Sequence, residues 1–224
     1  MQEIIIKAKG IEKSYGKTKV LRGVSLDVGR GEILAIMGPS GSGKSTLLHS
    51  LAAITAIDDG SIVFLGDRID NLNDKERTLL RRKRFGFVFQ FGQLVPELSA
   101  VDNVALVALL NGEDKTIAYQ RAERLLTEVG LIKKKLLLPS EMSGGEMQRV
   151  AIARAMAVEP EILFADEPTG SLDSFNSQRV MELMTDMARK YGMTIIMVTH
   201  EPSIAAYADR EIVVRDGQIS GVKK

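Results

Sequence analysis

A glycine-rich segment in the first quarter of the chain has the composition of a phosphate-binding loop. Residues 38–45 fit the pattern G-x-x-x-x-G-K-[S/T] at every position. Gly38, Gly41 and Gly43 allow the backbone to curl, so that successive N–H groups point at phosphate oxygens that a Cβ would obstruct. The helix expected to begin near Lys44 adds the positive end of its dipole. The segment therefore predicts nucleotide binding.

The side chains of this loop have separate expected roles. Lys44 should reach the β- and γ-phosphates, and the Ser45 hydroxyl should take one position on Mg²⁺. A chance glycine turn is the alternative, but the segment stands between an apolar strand pattern and a helix pattern, as a phosphate loop should. The expected nucleotide contacts are Gly38, Pro39, Ser40, Gly41, Ser42, Gly43, Lys44, Ser45 and Thr46.

Two adjacent carboxylates follow another apolar run much later in the chain. Asp166 and Glu167 come at the carboxyl end of this predicted strand, where open α/β sheets gather their ligands. Asp166 can hold Mg²⁺ directly or through water, and Glu167 can orient or deprotonate an attacking water in phosphoryl transfer. Paired carboxylates elsewhere are usually solvent-facing loop charges, but this position favours catalysis.

Three further side chains carry possible chemistry on weaker local signals. Tyr15 is predicted to lie in a loop ahead of the phosphate loop, where its ring could stack on a nucleotide base. His200 ends a predicted buried strand, and in an arbitrary protein such a histidine is most often structural. His49 lies inside the helix after the loop, and we assign it to helix surface or packing.

These residues require an α/β domain to position them. Continuous apolar runs predict buried strands, and alternating runs predict half-exposed antiparallel strands. The predicted strands are 4–7, 20–28, 33–37, 61–65, 85–89, 162–166 and 194–199, with a closing hairpin over 211–214 and 218–220. The predicted helices outside the middle of the chain are 44–53, 74–84 and 174–190.

The middle of the chain shows helical patterns with almost no strand signal. Helices are predicted over residues 99–110 and 114–129, the first opened by the capping spacing of Ser99 and Asp102. We interpret this part as a helical insertion into one domain that spans residues 1–224. The core is expected at about 1–90 and 159–224, and the helical lobe at about 91–158.

Composition excludes several classes of protein. The 224 residues are 45% hydrophobic, enough to bury a large core, and the net charge of +1 gives no electrostatic case for nucleic-acid binding. The absence of cysteine excludes disulfides and Cys-ligated zinc, and it suits a reducing compartment. We see no signal peptide, and the longest apolar stretch is far below the roughly 20 residues that span a bilayer. A membrane role should therefore come through a partner.

Residues 143–149 form a third motif, after the glycine-rich loop and the paired carboxylates. With these three motifs, the chain resembles the ATP-binding subunits of ABC transporters over essentially its whole length. Ser143, Gly144 and Gly145 are similar to the family signature, residues 38–45 to its Walker A loop, and Asp166 and Glu167 to its Walker B pair. The remaining matches are Tyr15 to the base-stacking aromatic, Gln90 to the Q-loop glutamine, residues 171–173 to the D-loop, and His200 to the switch histidine.

This resemblance implies a P-loop NTPase fold of ABC type, with a RecA-like core, an antiparallel β subdomain and an inserted helical lobe. It implies that ATP and Mg²⁺ are bound, with the metal on Ser45, Gln90 and Asp166. Catalysis would fall to Lys44, Gln90, Glu167 and His200. It also implies a head-to-tail homodimer, in which Asp173 and the signature residues Ser143, Gly144, Gly145 and Glu146 act on the partner's ATP.

The signature departs from the usual family pattern in two places. Met142 replaces the more frequent leucine, and Glu146 replaces the more frequent glutamine. Ser143 and Glu146 have capping-box spacing, and Gly144 and Gly145 leave a helix N-terminus bare enough to approach an anion. Glu146 suits the helix dipole, but beside a partner's triphosphate it could weaken closure, so its role stays open.

Residues 89–96 and 198–210 look like the branch that pairs with FtsX-type permeases. The resemblance implies export or extraction of a hydrophobic compound, peptide or lipoprotein, at the inner face of the cell membrane. Two alternatives remain: a regulatory ATPase that acts through such a permease without transport, and a non-transport ABC ATPase. An apolar group after Gln90 either packs under the lobe or receives a permease helix; it comprises Phe91, Leu94, Val95 and Leu98.

Overall fold

The computed structural model describes residues 3–90 and 92–223. Its strands are Ile4–Tyr15 (β1), Thr18–Gly29 (β2), Ile33–Met37 (β3), Asp59–Phe64 (β4), Asp67–Arg68 (β5), Phe85–Phe89 (β6), Ile162–Asp166 (β7), Thr194–Val198 (β8), Arg210–Arg215 (β9) and Gln218–Lys223 (β10). Its helices are Lys44–Leu51 (α1), Asp74–Arg84 (α2), Ala100–Leu110 (α3), Lys115–Glu128 (α4), Gly144–Met156 (α5), Ser174–Tyr191 (α6) and Pro202–Ala205 (α7). Two 3₁₀ turns span Ile132–Lys134 and Pro139–Glu141.

The larger sheet has six strands in the order β10-β9-β3-β8-β7-β6. Strand β3 lies at its centre and is parallel to both neighbours, β8 and β9, while β6 and β7 continue the parallel part. The carboxyl ends of these five strands therefore meet at one edge. This confirms the buried strands predicted at residues 33–37 and 162–166, and it places Asp166 on the same edge as the phosphate loop.

Both faces of this sheet are covered, as continuous apolar strands require. Leu34 and Ile36 face the cluster shared with α1 and the smaller sheet. Ile33 and Ala35 face the cluster shared with α5, α6 and the helical middle of the chain. Successive side chains of β3 thus pack into two different apolar clusters, one on each face of the sheet. This packing holds β3, and therefore the start of the loop that follows it, in place.

The smaller sheet is antiparallel, in the order β2-β1-β4-β5. It confirms the antiparallel strands predicted near residues 4–7 and 20–28, but both run further than predicted. Tyr15 is the last residue of β1, opposite Thr18, so its prediction as a loop residue is wrong. The register shifts along β1 and β2 interrupt the alternating pattern, which is why the sequence showed only part of each strand.

Helices α3, α4 and α5 occupy the middle of the chain, as predicted. Ser99 is the N-cap of α3, and its hydroxyl accepts a hydrogen bond from the Asp102 backbone N–H at 3.3 Å. Of the apolar group expected after Gln90, Leu94 is half-buried and packs against the main core, whereas Phe91 lies outside the described residues. The residue limits of core and lobe remain a proposal.

Two features at the carboxyl side of the fold differ from prediction. Strand β8 ends at Val198, two residues before His200, which is exposed. The strand predicted at 211–214 does form a hairpin with β10, but it also extends the large sheet by pairing with β3. Within the part of the chain that the structure describes, no helix has the length and apolar character needed to cross a membrane.

Candidate active site

The glycine-rich loop is pressed between two strands, which explains its residue types. Gly38 has φ +145°, and a Cβ there would lie 2.1 Å from the Val214 carbonyl oxygen. Gly43 has φ +101°, and a Cβ there would lie 3.1 Å from the Val20 carbonyl oxygen. L side chains rarely adopt this backbone conformation. The loop between β3 and α1 therefore needs glycine at these two positions for conformation and for space.

The loop holds a buried ammonium group. The Lys44 side chain is only 9% exposed, and its Nζ donates a hydrogen bond to the Pro39 carbonyl oxygen at 2.8 Å. No salt bridge joins Lys44 to a carboxylate among residues 3–90 and 92–223, and the buried Ser42 hydroxyl has no hydrogen-bond partner there. Because a buried cation is stable only with a counter-charge, this loop fits a bound phosphate.

Asp166 contacts two residues of α1. The Ser45 hydroxyl donates to Asp166 Oδ1 at 3.0 Å, and His49 Nε2 lies 3.5 Å from Asp166 Oδ2. The assignment of His49 to surface or packing is therefore wrong, since its ring belongs to the site. Ser45 and His49 are four residues apart and share one face of a helix, and this spacing was the available signal.

A groove at the carboxyl ends of β6 and β7 is lined by the three predicted metal ligands and by two of the predicted catalytic residues, Gln90 and Glu167. It has a volume of about 370 Å³ and is lined by Ser45, His49, Phe89, Gln90, Gln93, Asp166 and Glu167. No group of three or more His, Asp or Glu side chains suited to a metal occurs in the described ranges. Mg²⁺ is usually held by one or two carboxylates and completes its octahedral shell with other oxygens, mainly from phosphates and water. Ser45, Asp166 and the Gln90 amide oxygen fit that requirement.

Glu167 forms a pair with the histidine predicted to assist it. His200 Nδ1 lies 2.9 Å from each carboxylate oxygen of Glu167. The hydrogen bond to this carboxylate, and then its negative charge, raise the pKa of His200. Glu167 has φ +50°, and its N–H donates to the Val198 carbonyl oxygen at 3.0 Å, which ties the turn after β7 to β8. The arrangement holds a carboxylate beside a proton-carrying imidazole.

The signature segment caps α5, as the spacing of Ser143 and Glu146 predicted. The Glu146 N–H donates to Ser143 Oγ at 3.3 Å, and the Ser143 N–H donates to Glu146 Oε2 at 3.1 Å. Lys134 Nζ lies 2.6 Å from Glu146 Oε1, and this hydrogen bond is the largest cause of the lowered pKa of Glu146. The negative charge that was expected to disturb a neighbouring triphosphate is therefore offset within the chain.

The signature lies against the segment that follows the Walker B carboxylates. A Cβ on Gly145 would be 2.8 Å from Asn176 Oδ1, so the first turns of α5 and α6 touch. Asp173 is the N-cap of α6 and accepts from the Asn176 N–H at 2.9 Å, a contact that lowers the pKa of Asp173. Glycine at position 145 thus has a packing reason in addition to any approach by an anion.

The structure brings together six predicted residues, which are Lys44, Ser45, Gln90, Asp166, Glu167 and His200. It places Tyr15 on the tip of the β1–β2 hairpin, half exposed, with Lys13 Nζ 5.5 Å from its ring centroid. Between the described residues, no hydrogen bond or salt bridge connects the signature residues or Asp173 to the phosphate loop. Sequence reasoning missed the contacts of His49 with Asp166, of Lys134 with Glu146, and of the buried Gln148 amide with the backbone after β6 and β7.

Comparison with known proteins gives the same family throughout. The family described as ABC transporter matches residues 21–170. The chain is 47% identical over 217 residues to the lipoprotein-releasing system ATP-binding protein LolD of Aquifex aeolicus, covering 97% of this chain and 96% of that protein. It is 40% identical over 223 residues to the protein of the same name from Shewanella oneidensis, covering 98% and 97%.

Solved structures of ATP-binding cassettes have the same fold as this chain. A dimeric post-hydrolysis structure of the ATP-binding cassette MJ0796, bound to ADP and Pi, matches with a TM-score of 0.90 at 35% identity, covering 98% of each chain. CbiO1 from Clostridium perfringens, part of the ABC transporter complex CbiONQ, matches with a TM-score of 0.90 at 31% identity, covering 99% of this chain and 88% of that one.

Proposed function

This chain belongs to the ABC transporter family, and from that premise we propose that it is the ATPase subunit of a membrane complex that releases lipoproteins. It binds ATP with Mg²⁺, hydrolyses ATP and works as a dimer. The ATPase activity is supported by one observation: Lys44, Asp166 and the Glu167–His200 pair lie together at the carboxyl edge of the large sheet. Lipoprotein as the cargo is supported by the names of its relatives.

We assign the steps of hydrolysis to the residues that this edge positions. Lys44 and the loop N–H groups hold the phosphates, and Ser45, Asp166 and Gln90 hold Mg²⁺, which when bound neutralises charge on the phosphate oxygens. Glu167 accepts a proton from the attacking water. His200, hydrogen-bonded to that carboxylate, keeps it oriented toward the water.

The signature residues act on the ATP of a second copy of the chain. Their support is the geometry of α5, whose N-terminus is capped by Ser143 and carries the positive end of the helix dipole. Among the described residues, no hydrogen bond or salt bridge ties this N-terminus to the chain's own phosphate loop. The compensation of Glu146 by Lys134 keeps this surface suited to a negatively charged group. Tyr15 and Asp173 are assigned to the same closed dimer, as base-stacking and D-loop residues.

A groove between the large sheet and α3 supports a permease partner. It has a volume of about 290 Å³ and includes the apolar side chains of Phe87, Phe89 and Val107. Arg81, Arg82 and Arg154 stand around them, and none of the three forms a salt bridge with a carboxylate in the described part of the chain. Apolar walls with uncompensated arginines suit a short helix that carries apolar side chains and a carboxylate.

We therefore place the cytoplasmic helix of the permease in this groove and not along the apolar group that follows Gln90. Val107→Arg should abolish co-purification with the membrane partner while the isolated subunit still folds and hydrolyses ATP. Leu110→Arg is the matched control, because Leu110 is on the same helix and 61% exposed but does not line the groove. Equal binding by both variants would move the docking site elsewhere.

Reconstitution tests the proposed cargo and separates it from the alternatives. The chain is purified with its native membrane partner, placed in proteoliposomes loaded with a labelled lipoprotein, and supplied with Mg-ATP. Lipoprotein released in an ATP-dependent manner supports the proposal. A partner that stimulates ATP hydrolysis without any release would favour the regulatory alternative, and failure to retain any membrane protein would favour the non-transport one. The first two outcomes place the subunit at the inner face of the membrane.

A further inference from the structure

A buried amide lies at the centre of the catalytic edge. Gln148, in the second turn of α5, is 2% exposed. Its Nε2 donates two hydrogen bonds, one to the Phe89 carbonyl oxygen at 2.9 Å and one to the Pro168 carbonyl oxygen at 2.7 Å. Burying an amide in an apolar helix face is unfavourable unless its hydrogen bonds are made, so this side chain is held in one arrangement.

The two carbonyl groups belong to the segments that carry catalytic side chains. Strands β6 and β7 are adjacent and parallel, with Phe89 paired to Asp166. Beyond these strand ends, Phe89 directly precedes Gln90, and Pro168 directly follows Glu167. A single nitrogen atom thus sets the separation between the backbone of the metal-binding glutamine and the backbone of the general base.

Other side chains hold the first of these segments from the same side. Ser171 Oγ donates to the Gln90 carbonyl oxygen at 2.6 Å. Arg154, also on α5, donates to the carbonyl oxygens of Gly92 at 2.8 Å and Gln93 at 2.7 Å. Two side chains of α5, Gln148 and Arg154, therefore hold the backbone at Phe89 and at Gly92 and Gln93. Ser171 of the D-loop holds it at Gln90.

We propose that Gln148 is a positioning residue that connects the signature of one chain to the catalytic groups of the same chain. The inference rests on the proposed function, in which Ser143 faces the partner's nucleotide. Ser143 and Gln148 lie on one helix about 7.5 Å apart along its axis, at 1.5 Å per residue. When the signature closes on the partner's ATP, α5 moves as a rigid body, and Gln148 carries Gln90 and Glu167 into place. Each site is thereby set by the occupancy of the other.

Gln148→Met tests this connection, because methionine has a similar length and apolar packing but no donor. We expect the variant to bind ATP as the wild type does, and to form ATP-driven dimers in a Glu167→Gln background. In the variant with Glu167 intact, kcat should fall roughly 10- to 100-fold, the usual cost of misplacing reacting groups by about 1 Å, while KM changes little. A purely structural role would instead reduce binding, dimerisation and turnover together, in proportion to the folded fraction.

Asn103→Leu is the matched control. Asn103 is a fully buried amide whose Nδ2 donates to the Val95, Leu98 and Ser99 carbonyl oxygens, but it touches neither strand end of the site. Its replacement should lower stability and leave kcat per folded molecule near the wild-type value. A loss of kcat as large as that of Gln148→Met would overturn the proposal, since any buried amide would then have the same effect.

A second variant keeps the proposal testable if Gln148→Met does not fold. Ser171→Ala removes the neighbouring hydrogen bond to Gln90 from an exposed position, and it should also lower kcat with little change in KM. In the double variant, the two losses should combine to less than their product, because both act on one backbone segment. If the wild type hydrolyses ATP and Gln148→Met has the same kcat, the inference is refuted but the proposed function stands. If the wild type itself does not hydrolyse ATP, the proposed function is refuted.

Discussion

Replacement of Glu167 by glutamine should separate catalysis from binding and from stability. The substitution keeps the size and hydrogen-bonding shape of the side chain but removes its charge and its capacity to accept a proton. In the structure, each oxygen of this carboxylate lies 2.9 Å from His200 Nδ1, and Glu167 directly follows Asp166, which we propose as a magnesium ligand. We expect normal ATP binding, slow hydrolysis and accumulation of ATP-bound dimers.

The two expected energies differ enough to be distinguished. Because the His200 side chain is 64% exposed, its pair with Glu167 should contribute at most about 1 kcal/mol to stability, which is about 2–4 °C in Tm for a chain of this size. A lost general base lowers the rate by roughly 10²–10⁴-fold, or about 2.7–5.4 kcal/mol in activation free energy. A folding defect of the first size cannot produce a rate loss of the second.

Phosphate release under saturating Mg-ATP measures the rate, circular dichroism measures Tm, and size-exclusion chromatography counts dimers. Glu201→Gln is the control, because Glu201 is adjacent to His200 in the sequence but no hydrogen bond among the described residues joins its carboxylate to the His200 ring. This control should keep near wild-type turnover. Near wild-type turnover of Glu167→Gln itself would refute the reasoning and assign the base elsewhere, with His200 the next candidate.

Two further predictions follow from the pair and from the dimer. The hydrogen bond to Glu167 raises the pKa of His200, so the pair stabilises the folded chain below about pH 6.5 and loses this contribution as pH rises through the raised pKa. NMR titration of the chain's two histidines should show a lower pKa of His200 in Glu167→Gln than in the wild type. An unchanged pKa would contradict the assignment of the pair. Equal amounts of Lys44→Ala and Ser143→Arg variants should regain ATP-driven dimerisation through one intact composite site, whereas a mixture that elutes as two inert monomers would exclude action across the dimer.

The departure at Glu146 illustrates how the tertiary structure changes the meaning of a residue. From the sequence, Glu146 was expected to cap the helix and suit its dipole, but also to place a negative charge beside the partner's triphosphate. In the fold, Lys134 binds one oxygen and the Ser143 N–H binds the other. The substitution of glutamate for glutamine therefore comes with a compensating cation, Lys134, from the 3₁₀ turn Ile132–Lys134.

Features with local causes could be predicted from the sequence. Strands β3, β6 and β7 and helix α2 have the predicted bounds, since short apolar runs, turn residues and caps fix them within a few neighbours. The loop of residues 38–45 and the capping box at Ser143 were equally readable, because each depends on residue type at fixed spacing. Together these local features were enough to indicate the family, which the comparisons show, and to predict the catalytic residues.

The tertiary structure alone decided contacts between residues that are distant along the chain. These contacts join residues that are between 12 and more than 100 positions apart: the approach of His49 to Asp166, the double hydrogen bond of Gln148, the Lys134–Glu146 pair and the arginine-lined groove. A polar residue on a helix gives no sequence signal of which carbonyl it will meet, because that depends on how α1 and α5 pack against the strand ends. The sequence therefore specified which groups perform the chemistry, and the packing of the helices on the sheet specified which side chains hold those groups in place.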